Sequence, residues 1–372
     1  MRDDKLDRET TTDAGGARLD IVLDGASSQE QLFSEDLTPT AETVKDPSLP
    51  LEERLEAFDD ILESEVGDTT LSRARNIERE AKIRQLYLKF EGGNPTGTQK
   101  DRIAFVQAGD ALRRGYDAVT VATCGNYGVA TALAASVVGL KCYIYVPLGY
   151  KSQRIEEMES FGAVIIREGG DYERTVLASQ KRARDDEIYD ANPGGANTLT
   201  QLRAYGQIAY EIYDEMRDAP SVVAVPVSNG TTLAGIHKGF LSLYRRGKTS
   251  RMPRMVAGSS SRKNPIVHSW LKKSPHCEDL QPEGIRETSV NEPLINWHSI
   301  DGEYALRSIR ATDGWAENAS DKKMMTYSRL IREREGLNIL PASTAGLIAL
   351  LERHVREPLP NDRFVAVLTG KK

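Results

Sequence analysis

From about residue 86 the chain alternates short apolar runs with amphipathic segments, and this pattern limits the fold more than any other feature. The apolar runs 86–90, 118–123, 141–146, 164–167, 222–227, 255–257 and 364–368 have the length and β-branched content of buried strands. Between them, residues 100–114, 126–138, 152–160, 171–186, 198–217, 232–243, 323–334 and 343–355 carry helical periodicity. Strand and helix in alternation predict an α/β architecture with a mainly parallel sheet. In such sheets ligands bind at the carboxyl ends of strands, where loops lead into helices. Those loops are where chemistry is expected.

The charge is unevenly spread. Residues 1–68 hold 20 Asp and Glu against 6 Lys and Arg; residues 69–372 hold 35 against 43. An acidic head therefore precedes a mildly basic body, and the overall charge of −6 hides both. The head, to residue 47, is rich in Asp, Glu, Ser, Thr and Gly and is expected to stay mobile, apart from a strand-like run at 17–23. Pro47 and Pro50 punctuate, and 51–64 reads as a helix with Leu55, Phe58, Ile61 and Leu62 on one face. Residues 262–316, rich in Pro, Asn, Trp and Ser, read as a long irregular excursion that covers a site.

Several classes are excluded. The start, MRDDKLDRET, has charges where a secretion signal needs an apolar core. The longest nearly apolar stretch, 129–140, is too short for a bilayer. Three cysteines form no CxxC pair, and five histidines form no HExxH pair, so no metal site is expected. The expectation is a soluble cytoplasmic protein that binds neither membrane nor nucleic acid.

Four loops carry the candidate chemistry. Residues 91–102, EGGNPTGTQKDR, lead from a strand into a helix, with Thr98 as N-cap and Asp101 three residues on as in a capping box. Lys100 then lies in the first helical turn, where burial and the positive helix end both disfavour an ammonium. It is suited to Schiff-base chemistry, to binding phosphate, or simply to solvation. Residues 123–128, Thr-Cys-Gly-Asn-Tyr-Gly, form a second strand-to-helix turn, either an anion nest with Asn126 as an added donor or a plain turn. In the third, Ser228, Asn229, Gly230, Thr231 and Thr232 place hydroxyls and free N–H groups at a helix start, which serves phosphate binding or ordinary capping. The fourth, Leu368-Thr-Gly370, closes the last strand.

Together these loops resemble the pyridoxal-phosphate enzymes of fold type II, the tryptophan-synthase β-subunit group, over residues 66–372. Residues 94–102, NPTGTQKDR, match the family's NPTGSxKDR loop, and residues 123–128 match its SxGNxG loop. Residues 228–232 match its phosphate cup. The chain looks most like the threonine synthases, whose E-P-A-S-A segment and final TG align with residues 340–344 and 369–370.

The resemblance implies two three-layer α/β/α domains with the cofactor in the cleft between them. The large domain comprises 48–115 and 206–372, and the smaller, mobile one 116–205. Lys100 holds pyridoxal phosphate as a Schiff base, and Asn126 bonds the ring 3′-oxygen. The cup (Ser228, Asn229, Gly230, Thr231, Thr232) takes the phosphate, and Thr369 faces the ring nitrogen. Thr123, Cys124, Gly125, Asn126 and Tyr127 bind the substrate carboxylate. A homodimer is implied.

The chain departs from the family at Ser228 and Thr231, where glycines are usual, at Cys124 for Ser or Thr, at Leu340 for Glu, and at Gln99 for an aromatic. Between Ala219 and Cys277 there is no acid and there are ten Lys and Arg. This run is read either as a solvated face or as recognition of an anionic substrate, with Arg262 and Lys263 nearest the site. The acidic head is expected to fold back on it.

The implied activity is that of a carbon–oxygen lyase of the threonine-synthase kind, turning O-phosphohomoserine and water into threonine and phosphate. The alternatives are β-replacement on O-phosphoserine or O-acetylserine, a serine/threonine dehydratase, and a binding protein that kept the fold and lost the chemistry.

Overall fold

The computed structural model describes residues 38–372 except 124, 151–153 and 171. Among the described residues ten strands are present: β1 (Leu71–Arg73), β2 (Leu86–Phe90), β3 (Ala118–Ala122), β4 (Lys141–Pro147), β5 (Val164–Glu168), β6 (Tyr189–Asp190), β7 (Val222–Pro226), β8 (Arg254–Ser260), β9 (Trp315–Ala319) and β10 (Phe364–Leu368). They build a six-stranded sheet in the order β1-β2-β10-β7-β8-β9 and a four-stranded sheet in the order β5-β4-β3-β6. Every pairing is parallel except that of β1 with β2.

Both faces of the larger sheet are covered, as its continuous apolar strands require. Side chains alternate along a strand. In β10, Phe364, Ala366 and Leu368 join a cluster with Leu347 and Leu350 of the helix Ala345–Arg356. Val365 and Val367 point the other way, into a cluster with Phe105, Ile208 and Ile236 from the helices Lys100–Arg113, Thr198–Met216 and Thr231–Arg245. The same second cluster takes in Val119 and Val121 of β3, so one apolar body runs between the sheets. On the other face of β3, Thr120 is hydrogen-bonded (3.0 Å) to Ser179 of the helix Tyr172–Asp185.

Strand order explains the site. β10 lies between β2 and β7, all three parallel. The loops after their carboxyl ends, which carry Lys100, Thr369 and residues 228–232, are therefore neighbours in space though far apart in sequence.

Two expectations need correction. The head is not without structure to residue 47: Thr38–Lys45 is a helix whose Val44 is fully buried. Its carbonyl accepts from Arg54 Nε (2.8 Å), tying the helix to Leu51–Glu65. The strand-like run 17–23 lies outside the described residues. The excursion 262–316 is not irregular throughout either. It contains the helices Pro265–Leu271 and Gly302–Ala311 and runs into β9. Asn264 caps the first of these, its Oδ1 accepting from the N–H groups of Ile266 and Val267, with Pro265 at the first helical position. Among the described residues no helix is long and apolar enough to cross a membrane.

Candidate active site

The loop 91–100 is held from two sides. The end of the chain runs back along it: Gln99 N–H donates to Thr369 O (3.0 Å), and Lys371 N–H donates to Gly97 O (2.9 Å). Gly97 has φ +81°, a backbone conformation that favours glycine, and the Lys371 side chain packs over it. Beneath the loop Arg102, 3% exposed, donates Nε to Glu91 Oε2 (2.6 Å) and Nη1 to Glu211 Oε1 (2.6 Å). Lys89, 1% exposed, pairs with Glu211 at 2.5 Å. Two cations thus meet two carboxylates, and the cluster is neutral. The capping box is half formed, the Asp101 carboxylate reaching back to the Thr98 N–H. Thr98 Oγ1 accepts from Lys100 N–H (3.2 Å), while the Asp101 carboxylate accepts from Thr96 N–H (2.9 Å) and Oγ1 (2.8 Å).

Lys100 opens its helix with its side chain on a cavity wall. Burial lowers its pKa to about 8, against an opposing pull from the Asp301 carboxylate. Its Nζ lies 5.8 Å from the centre of the Tyr127 ring.

Residues 228–232 line the same cavity. Their carbonyls are tied down outside it: Ser228 O accepts from Asn264 Nδ2 (2.9 Å) and Ser299 Oγ (3.0 Å), and Asn229 O accepts from Asp301 N–H (3.1 Å). Gly230 has φ +89°, and a Cβ there would lie 2.7 Å from Ala305 Cβ. The helix Thr231–Arg245 starts here, so its first N–H groups have no partner within the helix. The result is a cup of N–H donors fit for a phosphate. One expected donor is committed elsewhere. Thr231 gives its hydroxyl proton to Asp301 Oδ2 (2.6 Å), and Asp301 Oδ1 also accepts from Thr198 (3.2 Å). Burial raises the pKa of Asp301 despite these bonds.

Asn126 begins the helix Asn126–Val138 after β3 and reaches the cavity from the side of the four-stranded sheet. Its Oδ1 accepts from Arg154 Nε (3.1 Å) and Nη2 (2.6 Å). Thr123 is buried, and its Oγ1 accepts from Gly125 N–H (3.5 Å). Tyr127 is buried with its hydroxyl donating to Ala191 O (2.6 Å), so it is the backbone N–H, in the first turn of the helix, that this residue offers to a ligand. Cys124 lies outside the described residues. Thr369 lines the cavity, its hydroxyl 3.1 Å from Ser343 Oγ, which in turn accepts from Gly370 N–H (3.1 Å).

The structure brings Lys100, Asn126, residues 228–232 and Thr369 to one cavity. It does not bring Arg262 and Lys263 there. Arg262 is exposed at φ +59°, and Lys263 Nζ donates to Arg286 O (2.6 Å). The turn after β8 directs both away, because Asn264, next in sequence, is drawn in beneath the cup. Arg154, Asp301 and Ser343 were missed by sequence reasoning. Only Ser343 had a signal, as part of the LPAST segment at 340–344. Among the described residues no cluster of His, Cys, Asp or Glu could hold a metal ion.

The chain is similar to known proteins in sequence and in fold. The chain is 30% identical over 311 residues to the threonine synthase of Methanocaldococcus jannaschii, covering 82% of this chain and 74% of that protein. It is 29% identical over 309 residues to the threonine synthase of a Bacillus species, covering 82% of each. Maize serine racemase shares the fold, with a TM-score of 0.71 at 15% identity over 85% of this chain and 92% of that one. The profile of pyridoxal-phosphate dependent enzymes matches residues 62–370, a span that holds all ten strands and every loop of the cavity, and the chain belongs to that family.

Proposed function

We propose that this enzyme carries out elimination and replacement on a small anionic L-amino acid, with O-phosphohomoserine and water giving threonine and phosphate. The observation that carries the reading is a buried amine of lowered pKa, Lys100, on the same cavity wall as an N–H cup at a helix start. The relatives named threonine synthase support the choice of substrate.

The residues fit pyridoxal phosphate. Gly230, at φ +89° and packed against Ala305, turns the chain into the helix start, and the N–H donors that start leaves without a helical partner match a phosphate dianion. The cup would hold the phosphate, Asn126 would face the ring oxygen, Thr369 would face the ring nitrogen and Lys100 would hold the aldehyde carbon. When bound, the cofactor supplies an electron sink for negative charge at the substrate α-carbon. Lys100 Nζ, once free, moves the proton at that carbon, a task suited to an amine with pKa near 8. The N–H groups at the start of the helix Asn126–Val138 receive the substrate carboxylate. Thr369, a neutral hydroxyl, leaves the ring nitrogen without a full countercharge.

One observation favours β-replacement on O-acetylserine as a second reading. Among the described residues Lys100 is the one cation lining the cavity, and Pro293, Leu294, Leu340 and Ala342 give the wall an apolar side. The same proposal takes 116–205 as a smaller mobile domain against 48–115 and 206–372, and a homodimer in the cytoplasm without membrane or nucleic-acid partners.

The test is a panel of amino acids assayed for phosphate, acetate, ammonia and thiol consumption, with Lys100→Ala alongside. Phosphate release from O-phosphohomoserine with threonine formed, lost in Lys100→Ala together with the visible absorption of the bound cofactor, is the expected result. Turnover retained in Lys100→Ala would overturn it.

A further inference from the structure

Asn126 is the polar side chain that the helix after β3 contributes to the cavity wall, and an asparagine amide is ambiguous. Either its oxygen or its nitrogen can face a ligand, and the two choices have opposite chemistry. Arg154 removes the ambiguity. Its guanidinium is donor-only, and two of its nitrogens, Nε at 3.1 Å and Nη2 at 2.6 Å, close on Asn126 Oδ1. The reverse orientation would set an NH2 group against a guanidinium, donor against donor. With both lone pairs of Oδ1 engaged, the atom left for the cavity is Nδ2, which carries two N–H donors.

The guanidinium is itself held. Its third nitrogen, Nη1, pairs with the carboxylate of Glu157 one turn along the helix Arg154–Ser160. That pair orients the guanidinium plane, so the direction of the Asn126 amide is set by two linked contacts rather than one. The charge of Arg154 also reaches Asp101, Glu292 and Lys371. A cation on the amide oxygen draws electron density from the nitrogen and strengthens its N–H groups as donors.

We infer that Arg154 is a positioning residue, fixing Asn126 so that a strengthened N–H donor faces an anionic oxygen of the bound cofactor. The inference rests on the proposed function in one respect, that the ligand is pyridoxal phosphate. The contact also ties the helix Arg154–Ser160 to the start of Asn126–Val138.

The experiment uses the full chain and pyridoxal phosphate, with Arg154→Met, Arg154→Lys, Asn126→Ala and the double variant Asn126→Ala/Arg154→Met. Cofactor affinity and the position of the visible absorption band are read together. Arg154→Met is expected to weaken binding about tenfold, the scale of one charge-assisted hydrogen bond, and to shift the band. Arg154→Lys recovers part of both, since lysine brings a single-point donor without the fork. In the Asn126→Ala background Arg154→Met adds nothing, because the residue acts through Asn126. Losses that add in the double variant, or an unmoved band and affinity in Arg154→Met, overturn the inference. Neutron diffraction from crystals of the cofactor-free wild type and Arg154→Met, which tells the amide nitrogen from the oxygen, decides the positioning separately. Asn126 keeps one orientation in the first and loses it in the second, and an unchanged Asn126 in the variant counts against the inference. A wild type that takes up no cofactor sinks the proposed function and leaves that crystallographic comparison standing.

Discussion

Burial brings the Lys100 amine to a pKa of about 8, and Asp301 keeps it from falling further. An amine attacks a carbonyl carbon only when neutral. At pH 7 an ordinary lysine is neutral in well under one part in a thousand, while one titrating near 8 is neutral in about a tenth. Uptake of pyridoxal phosphate by the cofactor-free enzyme should therefore quicken about tenfold from pH 6 to pH 7 and level off above pH 8. Stopped-flow absorbance at a series of pH values measures it, and a rate still climbing tenfold per unit at pH 9 would show an unshifted lysine. At this scale the sequence was informative where chemistry rests on one residue in its own loop. Lys100 and Asn126 announce themselves through their neighbours. Asp301 does not: it meets Thr231 across 70 residues, so nothing beside it in the chain marks it. For the same reason the Thr231 hydroxyl, read as a phosphate donor, is committed to a carboxylate that local patterning could not reveal.

The loop holding Lys100 is rigid because three elements meet under it. β2 supplies Lys89 and leads into Glu91, the helix Lys100–Arg113 supplies Arg102, and the helix Thr198–Met216 supplies Glu211. The KDR run at 100–102 reads as catalytic sequence, yet Arg102 does structural work: its charge is matched by a partner 109 residues away. Buried charges tolerate one another only as a complete set. Glu91→Gln leaves the cluster one positive charge in excess where Glu91 is fully buried, and it should cost about 3 kcal/mol or more in stability. Denaturant unfolding checks this. Because Arg102 follows Lys100 by two residues, the same variant should loosen the loop and lower turnover even where it remains folded. A loss under 1 kcal/mol would mean that water reaches the cluster.

The strand–helix alternation made the α/β class and most element positions legible, and it did so because buried parallel strands cannot avoid being apolar. It could not give the strand order, which places the last strand between β2 and β7 and so brings Thr369 to Lys100. Nor could it give the short β1 and β6, or β9, whose WAENA run carries Glu317 and Asn318 where an apolar pattern is needed. Composition misled over one stretch. The polar stretch 262–316 read as irregular because its Asn and Ser side chains, Asn264, Asn296 and Ser299 among them, serve the cup rather than a core. The basic run stays largely at the surface, with Arg245, Arg246, Lys248, Arg262, Lys272 and Lys273 exposed, while Arg251 pairs with Asp362 (2.5 Å) and Arg254 lies over the Trp315 ring (4.8 Å).

The acidic composition of the first 47 residues likewise concealed Val44, buried against the body of the molecule beside Gly139, which the backbone of Lys45 approaches. Two truncations separate the helix Thr38–Lys45 from the residues before it. A chain starting at 48 should be less stable than one starting at 38 by about 2 kcal/mol, the worth of one buried valine. It also loses the bond from Arg54 to the Val44 carbonyl. The helix packs on Asn126–Val138, whose first residue lines the cavity, so the shorter chain should also bind pyridoxal phosphate more weakly. Thermal melts with and without cofactor measure both effects. Equal midpoints for the two truncations would return the whole segment to the status of a tail, while a drop confined to the shorter chain would place residues 38–45 with the catalytic body.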